Sequence, residues 1–449
     1  MCAASPMSGS PPAARSPRPA WRITTRGRRR PEMPNSVREI ATSPQRFDVL
    51  LKGGEVVDPG SDRRGAYDVA IVGDRIAAVA PDIAAARARR VVDVSGRIVT
   101  AGFIDMHAHV FDHGTDFGLD PDAVGINAGC TTLVDQGSAG GWTFDPFKAF
   151  IIDRARTEVL CFISTNLSGT LRGCKGGPAI QTPDFVDVRV LADFVERFPT
   201  LIRGIKAHGE SGSWSRWGDR MLRMAREAGD LTGLPLYVHT GELWPVDERN
   251  RPDPDSVLDD VLALVRPGDI LAHVYSAKPD GILGRRAEPS ARFLAALSSG
   301  VLTDIGHGVN FSFRVARAMM AAGVYPDTIG SDVHGDFFSH RNDATLDYSF
   351  CGTFSKLHAL GLELEHIVAA ATVTPARILG MEAEIGTLRA GSRADVTVLR
   401  PLTEAWTYAD AEGEALPTTL RFVPDMVVRK GEVIKSNNRL LRDLLPSAA

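Results

Sequence analysis

The feature that most constrains the fold is a series of eight short β-type runs separated by helix-like segments. The runs span residues 104–110, 131–137, 159–166, 202–208, 235–240, 269–274, 302–308 and 328–334. Their spacing suits βα units, and helix-like stretches such as DRMLRMAREAGDLTG and ARFLAALSSG close on glycine, a common helix C-terminal signal. Alternation alone also suits a doubly wound sheet. The count of eight favours an α/β fold with a (β/α)8 barrel over residues 101–384.

Further β-type runs, broken by Gly, Asp and Pro, lie near both ends of the chain. FDVLLKGGEVVDPG, YDVAIVGDRIAAVA and RRVVDVSGRIVTAG precede the eight runs, and GTLRAGSRADVTVLRP and RFVPDMVVRKGEVIK follow them. We expect residues 47–100 and 385–440 to form one small composite β-sandwich domain. Residues 1–46 are rich in Pro, Arg and Ser without apolar periodicity, so we expect a disordered extension there. Residues 441–449 are expected to be a tail.

Composition excludes several classes of function. The 449-residue chain has a formal net charge of −4, and no basic patch follows the N-terminal region, so a nucleic-acid partner is not expected. No apolar stretch approaches membrane-spanning length, which argues against a membrane partner. The five cysteines are scattered without CxxC spacing, which is typical of reduced thiols. We therefore expect a cytoplasmic protein that acts on a small molecule, and formation of a homo-oligomer stays open.

Polar side chains gather where the eight runs end. In a (β/α)8 barrel the functional groups lie at the C-terminal ends of the strands, and seven of the 11 histidines of the chain stand there. In chain order the residues are His107 and His109 (first run), Lys206 and His208 (fourth), His239 (fifth), His273 (sixth), His307 (seventh), and Asp332 and His334 (eighth). Nitrogen and oxygen donors collected at one end of a barrel predict a metal site.

The spacing of the donors supports this interpretation. His107 and His109 are two residues apart, so both side chains face the same side of a strand. Taken alone, an HxH pair equally fits two hydrogen-bonded histidines. Its occurrence together with His239, His273 and Asp332 indicates metal binding. A carboxylate such as that of Asp332, directly after an apolar run, is costly to bury unless a cation or a hydrogen-bond donor compensates it.

Lys206 does not fit this donor set by itself, because a protonated lysine cannot bind a metal. One explanation is a lysine that is salt-bridged at the rim of the barrel. Another is a Schiff-base amine of a barrel lyase or isomerase, which would act without metal.

The segments GRIVTAGFIDMHAHV, GSDVH, TPARILGM and GTLRAGSRADVTVL, with Lys206, His239 and His273 between them, resemble the amidohydrolase superfamily from about residue 47 to 435. The resemblance implies two divalent metal ions, with zinc expected. It implies that His107, His109 and Asp332 bind one ion and that His239 and His273 bind the other. Lys206 would be carboxylated by CO2, and the resulting carbamate would bridge the two ions.

Hydrolysis of an amide, cyclic amide or ester follows from such a site. Two metal ions make hydroxide available near neutral pH and polarise a substrate carbonyl, and Asp332 would act as general acid and base. The run HVFDHGTDFGLDPDAVGINAGCTTLVDQGSAG resembles a deacetylase-like branch that acts on N-acyl amino acids or acylated hydroxy acids. Dihydroorotase, a cyclic amidase, is the alternative, but Phe111 stands where those enzymes usually carry an arginine. A non-catalytic scaffold is an alternative of another class, and the six filled ligand positions argue against it.

A carboxylate-bearing substrate calls for a cation at the mouth of the barrel. The candidates are Arg172 and Lys175 after the third run and Lys278 after the sixth, each of which also fits a solvated loop charge. Tyr275, His307 and His334 are further candidates for substrate contact, with packing or structural roles as the alternative, and His208 is open in the same way.

Overall fold

Strands from both ends of the chain form one eight-stranded sheet in the computed structural model, which describes residues 46–172, 181–335 and 347–436. They are β1 (Phe47–Asp58), β2 (Arg63–Val72), β3 (Arg75–Ala80), β4 (Ala88–Asp93), β5 (Ile98–Ala101), β13 (Val396–Ala409), β14 (Ala415–Arg429) and β15 (Glu432–Lys435). The order is β15-β14-β13-β5-β1-β2-β3, and β4 pairs with β1. The expected joining of the two chain ends is therefore present, whereas a sandwich arrangement stays a prediction. Residues 1–45 and 441–449, which carry the predicted extension and tail, lie outside the described ranges.

The centre of the chain forms a seven-stranded parallel sheet, as a mixed α/β fold requires. Its strands are β6 (Phe103–Ala108), β7 (Cys130–Gln136), β8 (Glu158–Ser164), β9 (Ile202–Gly209), β10 (Leu236–Thr240), β11 (Ile270–Leu271) and β12 (Leu302–Thr303). They neighbour one another in chain order, and nearly every residue in them is buried, which is typical of parallel strands. The first seven predicted runs are thus strands, although the last two are shorter than expected.

The eighth predicted run joins the two edges of this sheet without forming a regular strand. Thr328 makes a single parallel bridge to Asp304, and Val333 makes one to Ala108. Regular pairing is interrupted at Asp332, whose φ is 51°, because a left-handed residue does not continue a strand. The segment 328–333 nevertheless brings Asp332 beside the end of β6.

Eleven α-helices lie in the described ranges, and seven of them begin at a residue whose side chain accepts a backbone N–H of the first turn. They are α1 (Pro121–Val124), α2 (Phe144–Phe147), α3 (Val188–Arg197), α4 (Ser211–Trp217), α5 (Arg220–Thr232), α6 (Pro254–Leu264), α7 (Ala291–Ser299), α8 (Phe313–Ala321), α9 (Phe350–Ala359), α10 (Leu364–Ala371) and α11 (Val373–Ile378). The two helices expected from the sequence, α5 and α7, end at the left-handed glycines Gly233 and Gly300. None of the described helices combines the length and apolar character needed to cross a membrane.

Candidate metal centre

The end of β6 and the segment 328–333 place three donor side chains together. The Nε2 atoms of His107 and His109 are 3.3 Å apart. Asp332 Oδ1 lies 3.1 Å from Nε2 of His107 and 3.3 Å from Nε2 of His109. All three side chains are buried. We refer to His107, His109 and Asp332 as the first ligand group.

Hydrogen bonds on the far side of His107 decide which of its nitrogens is free to bind a cation. The Tyr237 hydroxyl donates to Asp304 Oδ1 at 2.6 Å, so its oxygen accepts from His107 Nδ1 at 3.0 Å. His107 Nε2 is then the nitrogen with the lone pair, and it points at Asp332. An imidazole whose outer N–H is held in this way is the usual state of a metal-bound histidine. Burial is the main cause that lowers the pKa of His107, and the Lys206 charge adds to it.

A second pair of histidines faces the same space from β10 and from the residues after β11. His239 Nδ1 and His273 Nε2 are 2.7 Å apart. The outer nitrogens lie 2.9 Å from Gly241 O and 2.7 Å from Gly306 O, respectively. Because a carbonyl oxygen only accepts hydrogen bonds, each outer nitrogen carries the hydrogen of a neutral ring. We refer to His239 and His273 as the second ligand group.

The tautomers of the second ligand group leave two lone pairs facing each other. Burial lowers the pKa of both imidazoles, to about 4 for His273, so both rings are neutral near pH 7. Two neutral acceptors at hydrogen-bonding distance repel unless a cation is shared between them. A divalent metal ion with a preference for imidazole nitrogen satisfies both.

Lys206 is buried and lines the same cavity as the first ligand group and His239. It is paired with Tyr237 in the β9–β10 register, and its Nζ is 4.6 Å from the centre of the Tyr237 ring. Gly137, at φ 79°, allows this position, since a Cβ there would be 2.8 Å from Lys206 Cγ. Neighbouring Gln136 donates from Nε2 to Met106 O at 2.7 Å.

The same hydrogen bond determines where the Gln136 oxygen faces. With Nε2 held by Met106 O, Oε1 is turned the other way, and it is buried without a hydrogen-bond partner within the described ranges. Gln136 lines the same cavity as Lys206, the first ligand group and His239. A buried acceptor of this kind fits the new N–H that carboxylation of a lysine amine would create.

Two of the donor residues have strained backbones. His273 has φ 62° and Asp332 has φ 51°, in the left-handed region that costs a non-glycine residue about 1–3 kcal/mol. Gly308 makes room for the carboxylate, because a Cβ at this position would overlap Asp332 Oδ2. Strain of this kind persists where surrounding structure holds a functional group in place, so the conformation supports a role for both side chains.

The first ligand group and His239 of the second line a cavity of about 290 Å3. Of the predicted substrate residues, Lys278 and His334 line it. The wall towards the mouth is completed by residues that the sequence did not single out, namely Phe117, Thr170, Glu242, Leu243, Trp244 and Asn310.

Three other predicted substrate residues do not reach the cavity. Tyr275 is buried elsewhere, with its hydroxyl donating to Val324 O at 3.1 Å and its ring stacked on Phe311. His307 is also buried outside the cavity wall, with Nε2 3.0 Å from Lys356 Nζ and Nδ1 2.9 Å from Gly308 O. Both expectations are therefore corrected to packing and hydrogen-bonding roles.

Of the two remaining cation candidates, one is exposed to solvent and the other is not among the described residues. Arg172 is exposed and does not line the cavity, so the expectation that it contacts substrate is corrected to a solvated charge. Lys175 lies outside the described residues.

Sequence reasoning missed Tyr237, Asp304 and Gln136. A signal existed for Tyr237, because it precedes His239 by two residues on the same strand face. Asp304 precedes the GHG segment after β12, but its contact with Tyr237 depends on a neighbour far away in the chain. Gln136 stands at the last position of β7, where a functional side chain is expected in such a sheet.

Comparison with known proteins adds an independent line of support. A family profile described as the amidohydrolase family matches residues 310–434, and another with the same description matches residues 90–157. A deacetylase of Agrobacterium fabrum is 28% identical over 408 residues, covering 90% of this chain and 96% of the relative. The crystal structure of a dihydroorotase has a TM-score of 0.76 and 28% identity, covering 87% of this chain and 98% of the other. The crystal structure of an adenine deaminase has a TM-score of 0.75 and 26% identity, covering 87% of this chain and all (100%) of the other.

Proposed function

This chain belongs to the amidohydrolase superfamily and is a hydrolase, and from that premise we propose that it acts as a deacetylase-like enzyme. The proposed reaction is hydrolysis of the amide or ester bond of a small carboxylate-bearing substrate, an N-acyl amino acid or an acylated hydroxy acid. The observation that carries the proposal is that the first ligand group and His239, which lies against His273, line one cavity that has Lys278 in its wall. The match to the Agrobacterium fabrum deacetylase along nearly its whole length supports the reaction type.

We infer that the segment 328–333 is the eighth strand of a (β/α)8 barrel. Its single bridges reach both edges of the parallel sheet, which is the position of a closing strand. The composite β-domain of residues 47–100 and 385–440 would then pack on the side of this barrel.

Proteins of this family generally bind divalent metals, and we propose two zinc ions in this chain. The first ligand group offers three donors, which is the number that catalytic zinc takes from protein. The second offers two, so a third must come from elsewhere. A carbamate on Lys206 would supply it, and its negative charge would offset the repulsion between two neighbouring cations. Gln136 Oε1, a buried acceptor in the lining of the same cavity, would accept the carbamate N–H.

The bound ions would supply hydroxide near neutral pH and polarise the scissile carbonyl. The chain itself supplies proton transfer through Asp332. Its carboxylate lies at the centre of the first ligand group, and the left-handed backbone keeps it directed into the cavity. Asp332 would take the proton released on attack and return it to the leaving nitrogen or oxygen.

Lys278 is the proposed recognition group for the substrate carboxylate. Its backbone N–H donates to Ser276 Oγ at 3.1 Å, which orders the loop after β11. Glu242, the other charged residue in the cavity wall outside the ligand groups and Lys206, is paired with Arg251 at 2.8 Å. The Lys278 ammonium is therefore left to attract an anionic substrate.

A cyclic amidase remains the second candidate because of the similarity to a dihydroorotase structure. Phe111 argues against it. This side chain is buried and packs against Phe147 with ring centres 5.0 Å apart, outside the cavity wall. In dihydroorotases an arginine at this position would bind the substrate carboxylate, whereas in this chain the side chain packs in the hydrophobic core.

Metal analysis combined with a substrate screen tests the proposal. Protein prepared with bicarbonate and zinc should contain two ions per chain, and its intact mass should show the addition of one CO2. The screen should include N-acetyl-D- and L-amino acids, O-acetyl hydroxy acids and dihydroorotate, with hydrolysis expected in the first two classes. Full activity after complete removal of metal would refute the mechanism, and turnover of dihydroorotate alone would select the cyclic amidase.

A further inference from the structure

His208 occupies the position directly above Lys206 on the same face of β9. Residues two apart on a strand share a face, so the His208 side chain lies one layer nearer the cavity mouth than Lys206. The β9–β10 register pairs it with His239. Its ring stacks between those of His239 and Trp244, with centres 5.3 Å and 4.4 Å away. The imidazole is thus held in a fixed plane at the cavity wall.

Both ring nitrogens of His208 are buried and have no hydrogen-bond partner among the residues that the structure describes. Buried polar atoms are nearly always paired, so each such atom calls for a water or a ligand. A neutral imidazole offers one donor and one acceptor. The His208 ring can therefore donate one hydrogen bond and accept one. The rings of His239 and Trp244, which stack on it, satisfy neither.

Two spaces adjoin the His208 ring. One is the cavity above the ligand groups. The other is a small space of about 10 Å3 whose lining includes the polar side chains of Ser164, Thr165 and Gln181. This volume corresponds to a single water site. A water there can satisfy one ring nitrogen of His208, which leaves the other for whatever occupies the main cavity.

We propose that His208 is a substrate-binding residue whose ring N–H donates to the carboxylate of the substrate. This inference rests on the proposed function, which gives the substrate a carboxylate. A carboxylate only accepts hydrogen bonds, so it matches a donor held in a fixed plane. Lys278 in the same wall offsets the negative charge, and the adjacent Trp244 face excludes water from the contact. Together these residues form a carboxylate subsite on the β9–β10 side of the cavity.

His208→Phe tests this subsite because it keeps the stacked ring and removes both nitrogens. Each substrate would be compared as its carboxylate and as the corresponding primary amide, an N-acetyl amino acid against its carboxamide. We expect KM for the carboxylate to rise roughly 10- to 100-fold, the range for a hydrogen bond to a charged group, with the amide unaffected. Metal content and kcat should stay at wild-type values. His208→Asn, which keeps a donor, should recover part of the loss, and His358→Phe on α9 is the matched control.

Calorimetric binding to the zinc-loaded enzyme separates this inference from the proposed function. If the wild type hydrolyses none of the compounds but binds carboxylates better than amides, and His208→Phe removes that preference, the subsite stands and the proposed reaction fails. Equal effects on carboxylate and amide, no effect on either, or no carboxylate binding by the wild type would overturn the subsite. If His208→Phe does not fold, His208→Asn and His208→Leu provide the same comparison of donor present against donor absent.

Discussion

The two ligand groups adjoin each other, with the ring centres of His107 and His273 5.5 Å apart, but they differ in the donors that they offer to an ion. The first combines two imidazoles with a carboxylate. Within the described ranges, its three donor atoms lie close enough together to bind one metal ion. The second has two imidazoles facing each other at 2.7 Å. Its third donor must come from a modified Lys206 or from solvent. The first ligand group therefore offers three donors in the unmodified chain, and under the proposed mechanism the second would need the carbamate of Lys206.

The groups also differ in how their outer nitrogens are held. His107 depends on a side-chain hydroxyl, that of Tyr237, which in turn depends on Asp304. His239 and His273 depend on backbone carbonyls of Gly241 and Gly306. Point mutations around the first group can remove an orienting partner, whereas the second group keeps its partners unless the backbone moves.

The largest expected effect is that of Asp332→Asn. It removes the general acid and base as well as one charged donor of the first ligand group, so kcat/KM should fall by about 10^2 to 10^4. Steady-state kinetics and metal analysis measure both consequences. The exposed Asp184→Asn serves as control. Retention of wild-type kcat/KM would remove Asp332 from the mechanism.

Lys206→Met tests whether only the second ligand group needs Lys206 to bind its metal ion. The second ligand group should lose its ion because its third donor is gone, while the first keeps one ion per chain. Metal stoichiometry and the CO2 increment in intact mass are the measurements. Lys148→Met, which breaks a surface pair with Asp153, is the control. Two ions in the Lys206 variant would show that the lysine does not bridge them.

Acid sensitivity of the metal-free protein tests the second ligand group separately. The His273 pKa is about 4 in the folded protein and about 6.5 in the unfolded chain. The unfolded chain therefore binds more protons between these values, so the free energy of unfolding falls as pH is lowered. His273 alone should account for about 3 kcal/mol between pH 7 and 4.

Urea unfolding at a series of pH values measures this loss. His273→Asn should show a shallower decline than the wild type, and the exposed His113→Asn should not differ from the wild type. An identical decline for His273→Asn would mean that His273 is not buried as a neutral ring.

Tyr237→Phe should have the smallest effect of the four and should act on the first group alone. Losing the hydroxyl frees His107 Nδ1, and removal of such an outer partner typically weakens metal binding by about 10- to 100-fold. Titration against a competing chelator would resolve one affinity for each metal ion. We expect only one of the two affinities to weaken, namely that of the ion bound by the first ligand group. The exposed Tyr325→Phe is the control. Equal weakening of both ions would show that the groups are not independently held.

Local patterns account for much of what could be predicted. The seven parallel strands and the helices α5 and α7 follow from β-type runs and C-terminal glycines, which act over a few residues. The strand-end positions of His107, His239 and Lys206 follow in the same way. Predictions failed for Tyr275 and His307, because residues after a strand can turn either into the cavity or into the surrounding core. Tyr275 and its partner Val324 are 49 residues apart in the chain, and so are His307 and its partner Lys356. Local sequence patterns do not predict contacts over this separation.

The sequence by itself determined which metal-donor side chains stand at the strand ends. The two-residue period of a strand determined that His107 and His109 share a face. Only the tertiary structure decided that the lone pairs of His239 and His273 face each other and that Tyr237 selects the His107 tautomer. It also decided that the ring nitrogens of His208 have no hydrogen-bond partner among the described residues. The physical reason is that these outcomes depend on register between strands and on hydrogen bonds between distant segments. A side chain's chemistry is local, but the atoms that complete it come from the rest of the fold.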